Sequence, residues 1–216
     1  MGSVTTIHQQ FYNASSPPIT LEHLPLASLT PESVSNFVKT LGKEKRLGVA
    51  ASYGEKCFPE ALAFSTETRI LLITMDTTSR SAKRHKQLLR NNLLCDDSLE
   101  KHGFFMERLA TALYLDLSLC IQNAFDITSD GDSRGSMAAY KKVLREVRDQ
   151  GPLNESVVER VFAEKPFDLS KKHEFAFRAW ASYIAVKALP DRPGVIDTST
   201  KDPKARSARR SCLVFI

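Results

Sequence analysis

The chain has 216 residues and a mass of 24.1 kDa, with 42% hydrophobic and 25% charged side chains, which excludes a wholly disordered chain, a collagen and a membrane bundle. The length suits one domain of roughly 150 to 180 residues with tails, large enough to be stable without disulfide staples. Thirty Lys and Arg against 25 Asp and Glu leave +5, which is compatible with a nucleic-acid partner and does not require one.

Residues 1–28 contain Ser15-Ser16-Pro17-Pro18 and almost no charge, and are expected to form a flexible lead-in. Thr30 offers an N-cap with Pro31 behind it, and Val34, Phe37, Val38 and Leu41 recur at helical spacing before Gly42, predicting a short amphipathic helix over 30–41. Three apolar segments follow, at 46–52, 60–66 and 69–75. Their links are too short for a parallel crossover, which takes about a dozen residues, so they must pair as an antiparallel meander.

After the meander the period becomes helical. Residues 80–93 are basic and then apolar, and 104–120 place Phe105, Leu109 and Leu113 on one stripe. Ser136 and Asn154 each precede an apolar helical pattern, and 172–189 carries Phe175, Ala179, Tyr183 and Val186 in register before Pro190 stops it. Strands followed by helices define an α/β or α+β domain over 29–189. The remainder, 190–216, reads as a solvated basic tail.

Cys57, Cys95, Cys120 and Cys212 form no CxxC pair and have no His at ligand spacing, so no zinc site, metal or other cofactor is expected. With no secretory leader pattern, the expected setting is intracellular, nuclear or cytoplasmic, with free thiols. The apolar runs are too short to cross a bilayer, so no membrane partner is expected.

The order of elements resembles the ribonuclease-H-like fold of 3′-5′ exonuclease domains of the ribonuclease D and Werner type. Gly48-Val49-Ala50-Ala51-Ser52 resembles that family's first-strand motif, Gly-apolar-Asp-x-Glu. Residues 102–117, HGFFMERLATALYLDL, resemble its second motif, and Gln122-Asn123-Ala124-Phe125-Asp126 the strand that follows. Trp180-Ala181-Ser182-Tyr183-Ile184 falls where the third motif opens the last long helix. The resemblance covers about residues 44–188 and implies an α/β fold, with a mixed sheet that opens on the meander and is flanked by helices.

In that family four carboxylates hold two divalent metals roughly 4 Å apart. The resemblance sets those positions at Ala50, Ser52, Leu109 and Ile184, none of them acidic, with Trp180 in place of the aromatic that orients water. Hard cations need several anionic oxygens, so no catalytic residue and no metal are expected, and apolar packing is expected to fill the vacated cleft. Glu55, Glu107 and Asp116 stand nearby in sequence as the acids a relocated active site would use.

The densest basic segment, Arg80, Lys83, Arg84, Lys86 and Arg90, is the candidate nucleic-acid contact, for single-stranded RNA or DNA; a solvated helix face is the plain alternative. The tail adds Lys201, Lys204, Arg206, Arg209 and Arg210. Val34, Phe37 and Leu41, or the tail ending in Leu213-Val214-Phe215-Ile216, are the candidate surfaces for a protein partner. His102 is expected to be structural. Together these readings lead to an inactive exonuclease-like domain acting as a nucleic-acid-binding or scaffold module, with protein interaction alone as the alternative and relocated catalytic acids as the minority one.

Overall fold

The computed structural model describes residues 2–12, 17–54, 58–75, 82–128, 137–147, 151–163, 167–188 and 196–197. Arg80, Glu55, Cys57, Ser136 and the tail from 198 onward lie outside the described residues.

The meander forms as its alternation demands. Strands β3 (Arg46–Tyr53), β4 (Pro59–Ser65) and β5 (Arg69–Thr74) pair antiparallel, with Val49 opposite Phe64 and Leu62 opposite Ile73. Successive side chains point to opposite faces of the sheet. Leu47, Val49, Leu62, Phe64, Leu71 and Ile73 therefore enter one core, while Ala61, Ala63, Ile70 and Leu72 enter the other.

The sheet does not open with the meander, and the described part of residues 1–28 is not a loose lead-in. β1 (Ser3–Ile7) and β2 (Ile19–Pro25) form an antiparallel pair, and β2 docks parallel on β5. Ile19, Leu21 and His23 alternate inward, so β2 buries an apolar face that a free segment would leave in water. With β6 (Glu100–Gly103), β7 (Ala124–Asp126) and β8 (Ile196–Asp197), the sheet has eight strands in the order β1-β2-β5-β4-β3-β6-β7-β8.

Helices cover both faces. On one lie α1 (Pro31–Val38), α2 (Ala82–Leu89) with a wide helical turn over Arg90–Leu94, and α3 (Met106–Leu117); on the other lie α4 (Met137–Arg145), α5 (Glu155–Phe162) and α6 (Lys172–Ala188). Thr30 and Ser33 cap α1 reciprocally, each side chain accepting from the other's backbone N–H at 3.1 Å. Asn154 caps α5 through Val157. Val34 and Phe37 are 2% and 0% exposed, and Leu41 packs against the same core. The apolar stripe is thus covered by its own domain, which removes it as a partner surface.

α6 fixes the site because it crosses β3 at close range. A Cβ on Gly48 would overlap the Ala179 carbonyl oxygen and the Tyr183 nitrogen, so only glycine lets helix and strand approach this far. Beside β3, Lys101 on β6 is fully buried and donates to the Asp96 carbonyl. His102 is 5% exposed, stacks on Phe125 with centroids 5.0 Å apart, and lies 3.3 Å from Glu100, a structural role as expected. Cys95 and Cys120 are brought together as free thiols with Sγ atoms 2.9 Å apart.

Candidate functional site

The end of β3, from Val49 to Tyr53, and Gly54 after it open into a cavity of about 240 Å³ between α3 and α6. Ala50 and Ser52 form its floor and Leu109 of α3 one side. Three of the four positions implied by the resemblance are therefore brought together as the sequence suggested.

The fourth is not. Ile184 is buried in the core and does not line the cavity, and Trp180 turns away to stack on Phe11 and to donate its indole N–H to the Glu67 carbonyl at 3.1 Å. The helix residues that face the cavity are Arg178 and Ser182. They have the same four-residue spacing two positions earlier, and a two-residue offset rotates a helix by about 200°, onto its opposite face. Ser182, with its hydroxyl donating to the Arg178 carbonyl at 3.0 Å, lines the cavity that Ile184 was expected to line.

The expected filling with apolar side chains is also corrected. Leu109 is buried, but Ala50 is too short to close the space, and Ser52, Ser182, Arg108 and Arg178 set polar groups among the aliphatic and aromatic lining residues. Among the described residues that line the cavity there is no Asp or Glu. The guanidinium of Arg108 lies 4.6 Å from the ring centroid of Tyr53, the residue following Ser52 on β3. Arg178 donates from Nε to the Val161 carbonyl at 2.6 Å and from Nη2 to the Ala163 carbonyl at 2.8 Å, securing the C-terminal end of α5.

Aromatic side chains line the same cavity. Tyr140 stacks on Phe162 with centroids 4.1 Å apart and meets Phe104 and Phe105 edge-on. Phe105 is held in left-handed backbone, φ 55°, unusual for an aromatic residue. Asp126 holds it there, because its carboxylate accepts from the Phe105 and Met106 amides at 3.3 and 2.7 Å at the start of α3. The sequence reading placed Asp126 at a strand end; it is there, and it also caps α3. A second cavity, about 140 Å³, adjoins the first through Ser52 and Arg178 and adds Arg160, Lys171, Asp168 and Glu174.

The other sequence candidates lie elsewhere. Lys83, Arg84, Lys86 and Arg90 on and after α2 do not line the cleft. Lys83 and Arg84 are exposed and Lys86 is half-buried, while Arg90 hydrogen-bonds the Cys95 and Cys120 thiols. Those thiols diverge: burial pushes Cys95 up to about 11, whereas hydrogen bonds from Cys95 and Arg90 outweigh burial at Cys120 and lower it. Glu107 and Asp116 on α3 are both exposed, and neither lines the cavity.

Two dications would need anionic oxygens that this lining does not offer. Alanine and leucine have no side-chain oxygen, two serines supply neutral hydroxyls, and two guanidiniums add positive charge. Among the described residues no group of three His, Cys, Asp or Glu could hold a metal elsewhere. The described residues of this lining do not fit a two-metal centre.

No family model and no curated protein matches the chain. Solved structures do. Trypanosoma brucei RNase D in complex with RNA U12 aligns over 89% of this chain and 69% of its own, at 13% identity and TM-score 0.50. The same enzyme in its GMP complex aligns over 89% and 63% at 13% identity and TM-score 0.51, so this chain spans less than two thirds of that one. The Aedes aegypti Nibbler EXO domain aligns over 90% of this chain and 95% of its own, at 11% identity and TM-score 0.52. The fold is that of the 3′-5′ exonuclease domains, with the mixed sheet and flanking helices the resemblance implied. No described helix is long and apolar enough to cross a membrane.

Proposed function

We propose that this domain binds nucleic acid and does not cleave it, serving as an adaptor or scaffold, with RNA processing or silencing as the setting by analogy alone. The observation that carries the reading is the lining of the cleft. By the resemblance Ala50, Ser52 and Leu109 fall where two-metal chemistry needs carboxylates; Ser182, not the expected Ile184, lines the same cavity, and Arg108 and Arg178 border it. In the described lining no carboxylate is present to hold a metal that would activate a water for in-line attack. Nucleic acid as the ligand class is supported by a relative in fold that has been solved with RNA and with GMP. The exposed Lys83 and Arg84 on α2 supply a separate phosphate contact outside the cleft.

The test is a 3′-labelled single-stranded oligonucleotide, RNA or DNA, incubated with the full chain and Mg²⁺ or Mn²⁺. The strand stays intact, yet binds the protein at low salt with an affinity that falls steeply as salt is added. Metal-dependent trimming that disappears in Glu107→Ala or Asp116→Ala would overturn the absence of cleavage. No binding at low salt would overturn the ligand.

A further inference from the structure

We propose that Cys95 and Cys120 form a redox-modification site, a dithiol that a hydroperoxide converts to a disulfide and that small-molecule thiols reduce again. Neither cysteine lines the cleft, and the site stands apart from the nucleic-acid reading. Both are free thiols and half-buried, with Sγ atoms 2.9 Å apart although the residues are 25 positions apart in the chain.

Hydrogen bonds on either side of the sulfurs hold the two segments together. The Cys95 N–H donates to the Arg90 carbonyl at 2.7 Å, closing the wide turn that follows α2, and the Gln122 N–H donates to the Leu94 carbonyl at 2.9 Å. The Asn123 side-chain amide donates to the Asp97 and Leu99 carbonyls at 3.2 and 3.1 Å. Leu93, Leu94, Leu117 and Leu119 anchor both segments in one core. Thiols placed in advance lose little chain entropy when a bond joins them.

The two thiols differ in a way that assigns their parts. Cys95 donates to the Cys120 carbonyl at 3.1 Å, and burial pushes its thiol up to about 11. Burial also raises Cys120, but hydrogen bonds from Cys95 and Arg90, with the charge of Arg90, outweigh it and hold Cys120 below its ordinary value. The thiolate is the nucleophile, and oxidation-sensitive cysteines set a stabilised, accessible thiolate beside a second thiol that resolves it.

The Cys120 thiolate attacks one oxygen of hydrogen peroxide. An S–O bond forms, the O–O bond breaks, and the departing oxygen takes a proton and leaves as water. Cys120 is then a sulfenic acid. The Cys95 sulfur attacks the Cys120 sulfur, the S–S bond forms, the S–O bond breaks, and hydroxide leaves with the Cys95 proton as a second water. Two electrons pass from the thiols to the peroxide. The link joins the turn after α2 to the connection between α3 and β7.

The experiment treats the reduced full chain with a small molar excess of hydrogen peroxide, alkylates the remaining thiols and maps the peptides by mass spectrometry without reduction. A peptide joining Cys95 to Cys120 is the main product, and dithiothreitol abolishes it. In Cys95→Ser, Cys120 accumulates as a sulfenic acid that dimedone traps. In Cys120→Ser, Cys95 reacts about tenfold or more slowly. Arg90→Gln, which removes the positive charge beside Cys120, slows the link by about threefold or more. The linked chain melts a few degrees higher, because a cross-link restrains the unfolded state.

If both thiols stay open to alkylation where the peroxide oxidises free cysteine, or if either joins Cys57 or Cys212 instead, the site is overturned. That result needs no variant, so a variant that fails to fold does not shelter the proposal. A linked chain that melts lower overturns the pre-placed geometry. Equal rates of oxidation in Cys95→Ser and Cys120→Ser overturn the assignment of the attacking thiol.

Discussion

The two faces of the sheet are built from different sizes of side chain. Toward α1, α2 and α3 the meander presents Leu47, Val49, Leu62, Phe64, Leu71 and Ile73, each at most 2% exposed. Toward α6 it presents Gly48, Ala50, Ala61 and Ala63 before larger residues return on β5. Small residues admit the helix backbone, but past Ala50 they leave a cavity open. The leucine face shows that this chain fills space where filling is all that is required. On the alanine face the opening persists with no carboxylate among its described lining residues, and its polar side chains are serines, tyrosines and two arginines.

Substitutions on either face sharpen that contrast. Gly48→Val drives a branched side chain into the backbone of α6, with an expected loss of about 4 kcal/mol or more, enough for chemical denaturation to report a largely unfolded chain. Leu113→Ala, at 0% exposure on the leucine face, costs about 3–5 kcal/mol, whereas Leu109→Ala, which borders the existing cavity, costs nearer 2 kcal/mol because less closed packing is lost. Equal losses would mean the cleft is packed as tightly as the core. Asp126→Ala removes the carboxylate from the start of α3 and costs about 1–2 kcal/mol. Thr30→Ala costs about 1 kcal/mol at the start of α1, and urea midpoints rank the two caps.

The buried titratable groups separate by pH. Burial lowers His102 from its ordinary 6.5 despite the hydrogen bond with Glu100, and burial with the nearby Lys172 lowers His23. Below about pH 6.5 the unfolded chain takes up protons that the folded chain refuses, so stability falls as the solution is acidified. Burial also pulls Lys101 down to about 8, against the attraction of Asp96. Between about pH 8 and 10.5 the unfolded lysine is protonated and the folded one is not, so its contribution to stability rises across that window. Urea midpoints on both sides of neutrality check both signs, and Lys101→Met removes the alkaline rise.

Much of this was legible in the residues. Alternation and short links gave the meander, Thr30 and Asn154 marked their helix starts, and the first two motifs brought Ala50, Ser52 and Leu109 to one cavity. β2 was overlooked although Ile19, Leu21 and His23 alternate, because Pro17-Pro18 beside them suggested a loose segment. β6 had no apolar pattern to find, because its buried side chains are a lysine and a histidine that point to opposite faces of the sheet. The orientation of α6 was hidden for a related reason. From Phe175 to Val186 nearly every residue is buried, so hydrophobicity did not distinguish the Arg178–Ser182 face from the Trp180–Ile184 face. Arg108 and Arg178 were passed over because a lone charge on a helix ordinarily marks solvent.

The central claim is that the described lining of the cleft lacks the anionic oxygens a two-metal centre needs. Titrating Mn²⁺ into the full chain in a calorimeter tests it most directly. The account predicts no saturable heat, with strand binding unaltered by the ion. A saturable titration with two ions per chain, abolished by Ser52→Ala with Ser182→Ala, would contradict it.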